Sequence, residues 1–245
     1  MDEAIELANY LPISFKTVSE QEYIKFLWES FETNYESEKY QFAFLAYHML
    51  TMSFIYFKIW QIKQIKSVDF QKAMIGFHKD LENELLNATS PFTFCRVNES
   101  IVMRFLKLIG CDNGKVGSYA SLVKERNDTA HANGNIFFST QNALDRKINE
   151  VLRIVNEIQS HSKSIIEHCY KEFLLSNINP AESEYIEPAD QIQEVLIHRN
   201  YLSQEDLKIC LSFDMKSLSE NPAIVNIRTI HKEFNRIWSR LFTEP

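Results

Sequence analysis

Apolar residues recur at helical spacing along most of the chain, and the longest such stretches predict its organisation. Residues 42–57 contain no Asp, Glu, Lys or Arg, and over about 38–66 the apolar positions go nearly all round a helix. We expect this helix to be central or to lie at a subunit interface. The stretch falls short of the roughly 20 apolar residues that a membrane span needs, so no membrane association is expected.

A second long helix is predicted over about 141–175. Its apolar residues are spaced alternately four and three apart, as a seam between packed helices requires. They are Leu144, Ile148, Val151, Val155 and Ile158. This stripe packs either inside the subunit or against a second copy of the chain.

Capping and breaking residues divide the remaining sequence into shorter helices. Ser19 and Glu22 have the spacing of a capping box, which predicts a helix through about residue 34. Ser118 and Gly134 are placed to cap and to end a helix, after a turn over 112–114. The other predicted helices span 69–86, 98–110, 188–200, 203–213 and 223–242, with a linker over 177–190.

The low content of turn-forming residues sets the fold class. The 245 residues include only 5 Gly and 6 Pro, which suits long helices joined by short connections. The predicted fold class is all-α, with long antiparallel helices and a C-terminal helical extension. Three regions are expected: an N-terminal lead-in and first helix over 1–35, a helical bundle over 36–175, and a C-terminal helical appendage over 188–245.

The stretch Arg126-Asn127-Asp128-Thr129-Ala130-His131 combines a fixed cation, an amide and an imidazole near the end of a predicted helix. Asn127 and His131 are four residues apart, so on a helix they share a face and can hydrogen-bond, which would orient the ring. The guanidinium of Arg126 suits a phosphate group, and histidine takes and gives protons near neutrality. A metal-independent ribonuclease uses side chains of these kinds.

Arg126, Asn127 and His131 match, residue by residue, the Arg-Asn-x-x-x-His motif of ribonucleases in the HEPN (higher eukaryotes and prokaryotes nucleotide-binding) family, which this chain resembles. The resemblance rests on that motif and on the helical pattern of about 36–175. It implies a HEPN-like helical bundle, a homodimer with two motifs in one composite cleft, and a metal-independent endoribonuclease. It also implies a toxin–antitoxin or antiviral defence setting, with an antitoxin or regulatory protein as a partner.

One position departs from a subgroup of that family. Members paired with a particular antitoxin carry Tyr two places after the His, whereas position 133 is Asn. Regulation through modification of such a Tyr is therefore not expected.

The resemblance makes Arg126, Asn127 and His131 the expected catalytic residues. In the homodimer, His131 of one subunit would act as general base on the ribose 2′-OH, while Arg126 stabilises the charge that builds on phosphorus. The products would be a 2′,3′-cyclic phosphate and a 5′-OH end, and DNA should resist cutting. Whether His131 is a base or a donor to the phosphate stays open, as does whether Asn127 orients the ring or touches the substrate.

The net charge of −7 argues against a broadly basic nucleic-acid binder, because affinity for RNA comes largely from cations that neutralise phosphates. Contacts to an RNA substrate must therefore be local. Lys115 and Lys124 lie near the motif in the sequence and are the expected substrate-binding residues.

No metal and no cofactor is expected. His161 and His168 are two helical turns apart, roughly 10 Å, which is too far to share one ion. His48 has no evident partner and is expected to be a surface or satisfied core residue. The four cysteines are widely spaced and the first residues are acidic, which favours a reduced, cytoplasmic location.

Two other interpretations of the motif stay open. Arg126 and His131 can simply complement the dipole and the carbonyls at a helix C-terminus. Alternatively, the chain is a non-catalytic HEPN-like helical module that binds a partner protein or a nucleotide. A strict monomer would weaken the composite-site hypothesis.

Overall fold

The computed structural model describes residues 2–177 and 184–239, and their regular structure is helical apart from one isolated bridge between Pro12 and Ser203. The all-α prediction is confirmed. The α-helices are α1 (Asp2–Ile5), α2 (Val18–Glu36), α3 (Tyr40–Ile65), α4 (Ser67–Ala73), α5 (Lys79–Leu86), α6 (Glu99–Val102), α7 (Asn113–Ala130), α8 (Gln141–Ser176), α9 (Pro188–Gln191), α10 (Gln204–Leu211) and α11 (Ile224–Trp238). Short 3₁₀ helices span Glu6–Tyr10, Pro91–Arg96, Met103–Ile109 and Met215–Leu218, and a π-helix spans Ile192–His198.

The described residues form two compact units. Unit 1 comprises Met1–Leu11 and Thr17–Ser162, and unit 2 comprises Pro12–Lys16 and Lys163–Pro245. This division differs from the predicted one, because the first helix belongs with the bundle and the boundary falls inside α8. The predicted linker over 177–190 lies partly outside the described residues, and so do the last residues of the predicted helix 223–242.

Helices α2 and α3 form an antiparallel pair joined by Ser37–Lys39, where Glu38 has a positive φ of 58°. The capping box of α2 is made by Thr17 and Glu20, two positions before the predicted pair. The Thr17 hydroxyl accepts from the Glu20 amide at 3.2 Å, and the Glu20 carboxylate accepts from the Thr17 amide at 3.3 Å. The hydroxyl of Ser90, 70 positions away in the sequence, also donates to the Glu20 carboxylate at 2.5 Å, and this contact favours the Thr17–Glu20 capping box.

Helix α3 is the core of unit 1, as its apolar surface predicts. Every residue from Leu50 to Ile62 is buried. It is the one helix among the described residues that is long and apolar enough to cross a membrane, but 83% of its most apolar 18-residue window is buried inside the protein. Burial of this extent is typical of a central core helix, and length and composition alone are weak grounds for a membrane span.

Four predicted helices differ from the observed ones. The predicted helix 98–110 is α-helical only over Glu99–Val102 and continues as the 3₁₀ helix Met103–Ile109. The predicted helix 188–200 is α-helical over Pro188–Gln191 and continues as the π-helix Ile192–His198. The predicted helix 69–86 is interrupted between α4 and α5, because Gly76 has a φ of 94°, which a helix does not accommodate. The motif helix α7 is capped by Asp112, six positions before the predicted cap Ser118, and the Asp112 side chain accepts from the Lys115 amide at 2.8 Å. The predicted turn over 112–114 is therefore the start of this helix.

Helix α8 has the predicted bounds to within one residue, and its apolar seam is buried inside the chain. The seam residues Leu144, Ile148, Val151, Val155 and Ile158 are all at most 2% exposed. In unit 2, Tyr170 packs against Phe213 and Phe234 and its hydroxyl lies 2.8 Å from His231 Nδ1. The extended segment at Ile13 also pairs there, its amide donating to the carbonyl of Leu202 at 3.1 Å.

Candidate functional site

The motif lies at the C-terminal end of α7, as predicted. This helix buries Val116, Tyr119 and Leu122 on its inner face, which fixes its axis in the bundle. It ends at Ala130, and His131 is the C-cap, with φ −84° and ψ 146°. The amide of His131 donates to the carbonyl of Asn127 at 3.1 Å, so the two residues are linked through the backbone.

The predicted hydrogen bond between the side chains of Asn127 and His131 is not formed. The chain leaves the helix at His131, whose ψ of 146° is extended. The imidazole is exposed and has no hydrogen-bond or ion-pair partner among residues 2–177 and 184–239. It is therefore accessible to a ligand from solvent.

Arg126 is held by a carboxylate that sequence reasoning did not pair with it. Its guanidinium lies 2.7 Å from Glu99 Oε1, at the start of α6. The other oxygen of Glu99 accepts a hydrogen bond from His48 Nε2 at 3.1 Å. His48, on α3, is 3% exposed, and Glu99 is 21% exposed. Three helices thus contribute one residue each to a cluster that fixes the arginine.

The charge on Glu99 is stabilised by this cluster. Burial by itself raises the pKa of a carboxyl, but the hydrogen bonds from His48 and Arg126 outweigh that effect and lower the pKa of Glu99 from 4.5 to about 2. Glu99 therefore stays ionised at neutral pH and orients Arg126, whose side chain is still 30% exposed.

The sequence carries a signal that His48 has a polar partner. His48 is the one histidine within the charge-free stretch 42–57, so burial of that helix requires a polar partner for its ring. The expectation of a satisfied core residue is met, and the statement that it lacks a partner is wrong. The partner is 51 positions away in the sequence, at Glu99, and no local pattern identifies it.

The structure does not bring the two predicted substrate-binding lysines to Arg126. Lys115 is ion-paired with Glu157 at 2.7 Å and its Nζ lies 2.8 Å from His161 Nε2. It is also eleven positions before Arg126 on α7, about 16 Å along the axis. Lys124 is exposed but points roughly 160° away from Arg126 around the helix.

A contact network attaches the motif end of α7 to α3. The Gln41 amide donates to the carbonyl of Thr129 at 3.1 Å, and its oxygen accepts from the amide of Phe137 at 3.0 Å. The ring of Phe138 packs on Phe44 with centroids 4.5 Å apart. The loop that follows His131 is therefore tied to the first turns of α3.

An aromatic cavity of about 520 Å³ opens beside Glu99. Its lining includes Tyr23, Tyr56, Phe92 and Cys95 as well as that carboxylate. Burial, followed by the negative charge of Glu99 among smaller effects, raises the pKa of Tyr56, and burial also raises the pKa of Tyr23. Both phenols are therefore protonated at neutral pH and can donate hydrogen bonds into the cavity.

Within the described ranges 2–177 and 184–239, no three His, Cys, Asp or Glu side chains converge where they could hold a metal ion. Comparisons with protein-family models, with curated proteins and with solved structures returned no match. Three features of the side chains bear on function. They are the exposed imidazole of His131, the oriented guanidinium of Arg126 and the aromatic cavity next to Glu99.

Proposed function

We propose that this protein is a metal-independent endoribonuclease of the HEPN type that acts as a homodimer. The observation that carries the proposal is an exposed imidazole at His131, which has no partner among residues 2–177 and 184–239, five positions after an arginine that the half-buried Glu99 holds in place. An imidazole without a structural partner is free to exchange protons with a substrate. An arginine that is oriented beforehand binds a phosphate without a further loss of side-chain freedom.

In the proposed reaction His131 removes the proton of the ribose 2′-OH, and the resulting oxygen attacks the adjacent phosphorus. The bond from phosphorus to the 5′-oxygen breaks, and this oxygen takes up a proton. Arg126 stabilises the negative charge on the phosphoryl oxygens. The products are a 2′,3′-cyclic phosphate and a 5′-OH end. Asn127 is half-buried beside Arg126 and is proposed to touch the substrate, since it does not orient the ring.

The second copy is proposed because the base and acid steps use two proton carriers, and the motif of one chain offers a single exposed imidazole, that of His131. Apolar side chains exposed next to the motif support this arrangement. Phe42 is 59% exposed, Ile136 73% and Phe137 40%. The hydrogen bonds of Gln41 hold these residues in one region, around the end of α7. We refer to Phe42, Ile136 and Phe137 as the apolar patch, and propose that a second copy covers it.

Replacing Ile136 with Asp should convert a dimer into a monomer and lower RNA cleavage in excess EDTA about a hundredfold or more, because a charge in the apolar patch opposes association. The measurements are light scattering after gel filtration and cleavage of mixed cellular RNA. Ile186, which is 98% exposed in unit 2, supplies the matched control, Ile186→Asp, which should remain dimeric and active. A fully active Ile136→Asp monomer, or an inert wild type, contradicts the proposal.

The biological setting belongs to the proposal as well and rests on the family resemblance. A ribonuclease of this kind acts on cytoplasmic RNA, in a toxin–antitoxin pair or in antiviral defence, and an antitoxin or regulatory protein would restrain it. The proposed function needs neither a cofactor nor a membrane.

The aromatic cavity favours a second candidate function, a module that binds a nucleoside. A purine base would stack on Tyr23 or Phe92 and accept a hydrogen bond from Tyr56, a combination that suits a flat ring with polar edges.

This candidate predicts saturable binding of purine nucleosides in calorimetry, because the cavity lining offers aromatic rings for the base but only Glu20 and Glu99 as charged groups, and these would repel a phosphate. Met52→Trp should weaken that binding at least tenfold, because the indole fills the cavity. Val225→Trp adds the same ring at a site 71% exposed in unit 2 and should leave binding unchanged. Equal binding by wild type and Met52→Trp excludes this use of the cavity.

A further inference from the structure

A groove of about 680 Å³ lies between α4, the 3₁₀ helix Met103–Ile109 and the first turns of α7. Arg104 and Lys107 line it, together with Ser100 and small residues of α7, and no acidic residue is part of its lining. In a chain with a net charge of −7, a groove with two cations and no carboxylate is a local departure from the average surface. It is a candidate site for an anionic ligand.

The two cations of the groove are not engaged by the protein. Arg104 and Lys107 are exposed, and neither has an ion pair or a side-chain hydrogen bond within residues 2–177 and 184–239. Lys115 and Lys147 of unit 1 differ in this respect, since they pair with Glu157 and Glu125. Because Arg104 and Lys107 are three positions apart on one helix, both can reach a single chain of phosphates.

The groove leads toward the motif along one face of α7. Gly117 and Ala120 line it, and positions seven residues later on a helix return to within about 20° of the same direction. Those positions are Lys124 and Asn127, and the helix ends three residues beyond, at Ala130. Gly117 and Ala120 carry no bulky side chain, so a strand can pass close to the backbone there. At the other wall, Ser100 adjoins Glu99, the partner of Arg126.

We propose that this groove binds the phosphodiester backbone of a single-stranded RNA substrate and guides it to His131. Arg104 and Lys107 each contact a phosphate, and Lys124 extends the path toward Asn127. The proposal rests on the proposed ribonuclease function and names the substrate contacts of that site. It reassigns the main substrate-binding role from Lys115 to Arg104 and Lys107, which come earlier in the sequence.

The test measures binding of a fluorescently labelled single-stranded RNA by anisotropy at several salt concentrations, with His131→Ala in every protein to prevent cleavage. The double change Arg104→Ala/Lys107→Ala should weaken binding about tenfold. It should also lower the slope of log affinity against log salt by about 1.4, since a single strand contributes about 0.7 per phosphate contact. Arg228→Ala/Lys216→Ala removes the same two residue types from exposed positions in unit 2 and should change affinity less than about twofold.

Two further arms separate the outcomes. Inorganic phosphate, added at constant ionic strength, should not displace the RNA. If it does, the groove binds a single phosphate group and the proposed binding of an RNA strand is wrong.

The double change at Arg104 and Lys107 is also made in the otherwise wild-type protein, so that its cleavage of RNA in EDTA can be measured. If wild type cuts RNA and this variant binds and cuts equally well, the groove proposal fails and the ribonuclease stands. If wild type cuts nothing but the variant loses affinity, the groove stands and the ribonuclease fails.

Discussion

Replacing His131 with Ala is expected to reduce the rate of RNA cleavage in excess EDTA by about 10²- to 10⁴-fold, the range that a positioned general acid or base contributes. Stability should hardly change, because the exposed ring has no partner in the described part of the chain. The measurement is the initial rate on a defined single-stranded RNA, with the product ends identified by mass. A 2′,3′-cyclic phosphate is expected, and the same strand made of DNA should stay intact.

His168→Ala is the matched control for this change. His168 is 53% exposed on α8 in unit 2 and should be dispensable for cleavage. If His131→Ala cuts RNA as fast as the His168→Ala control, His131 is not the proton carrier, and the activity resides elsewhere or in a contaminating nuclease.

Replacing Glu99 with Ala is expected to lower the free energy of unfolding by about 3 kcal/mol at pH 7. The change leaves the buried His48 ring without its acceptor and the half-buried Arg126 without its ion-pair partner, and an unpaired polar group in a buried position is costly. The loss is measured by urea denaturation. Glu84→Ala removes a carboxylate that pairs with Arg96 at the surface, where both side chains are more than 40% exposed. That control should lose less than about 1 kcal/mol.

The stability that Glu99 contributes should depend on pH in a defined direction. Its pKa in the folded protein is about 2, below the ordinary value of 4.5, so the folded state favours the ionised form. The contribution is therefore fully present above pH 4.5 and is lost as the pH falls toward 2. Solvent screens this partly exposed group, so we expect the difference between wild type and Glu99→Ala to shrink by about 2 kcal/mol over that window. A difference that stays constant with pH would show that the ion pair does not stabilise the fold.

The same cluster affects how variants of Arg126 are interpreted. Because Arg126 is one of two partners of Glu99, Arg126→Ala is expected to weaken the fold as well as phosphate binding. A loss of cleavage in that variant is informative only when the folded fraction is measured alongside it. His131 carries no such structural role, so its substitution gives the cleaner test of catalysis.

The sequence predicted the features of this molecule that depend on local patterns. The burial of α3 follows from an apolar surface that goes round the whole helix, and the seam of α8 follows from its regular spacing. Placement of the motif at a helix end follows from the residues around it. Gly76 was the missed local signal, since its positive φ divides one predicted helix into α4 and α5.

The remaining features depend on contacts between distant positions. The pairing of His48 with Glu99 joins residues 51 apart, and Lys115 is withdrawn from the motif by Glu157 on another helix. Charge alone made Lys115 a reasonable candidate for binding RNA. Only the packing of α7 against α8 shows that its charge is already neutralised, whereas Arg104 and Lys107 remain available.

The cysteines give this protein an intrinsic position for a spectroscopic label. Cys111, Cys169 and Cys210 are buried, whereas Cys95 is exposed and lines the aromatic cavity. A thiol-reactive fluorophore should therefore attach to one residue of the native protein without any prior mutagenesis. Because that position adjoins Glu99, the emission of the attached dye would report occupancy of the cavity and rearrangement around Arg126 in real time, in the unmodified sequence.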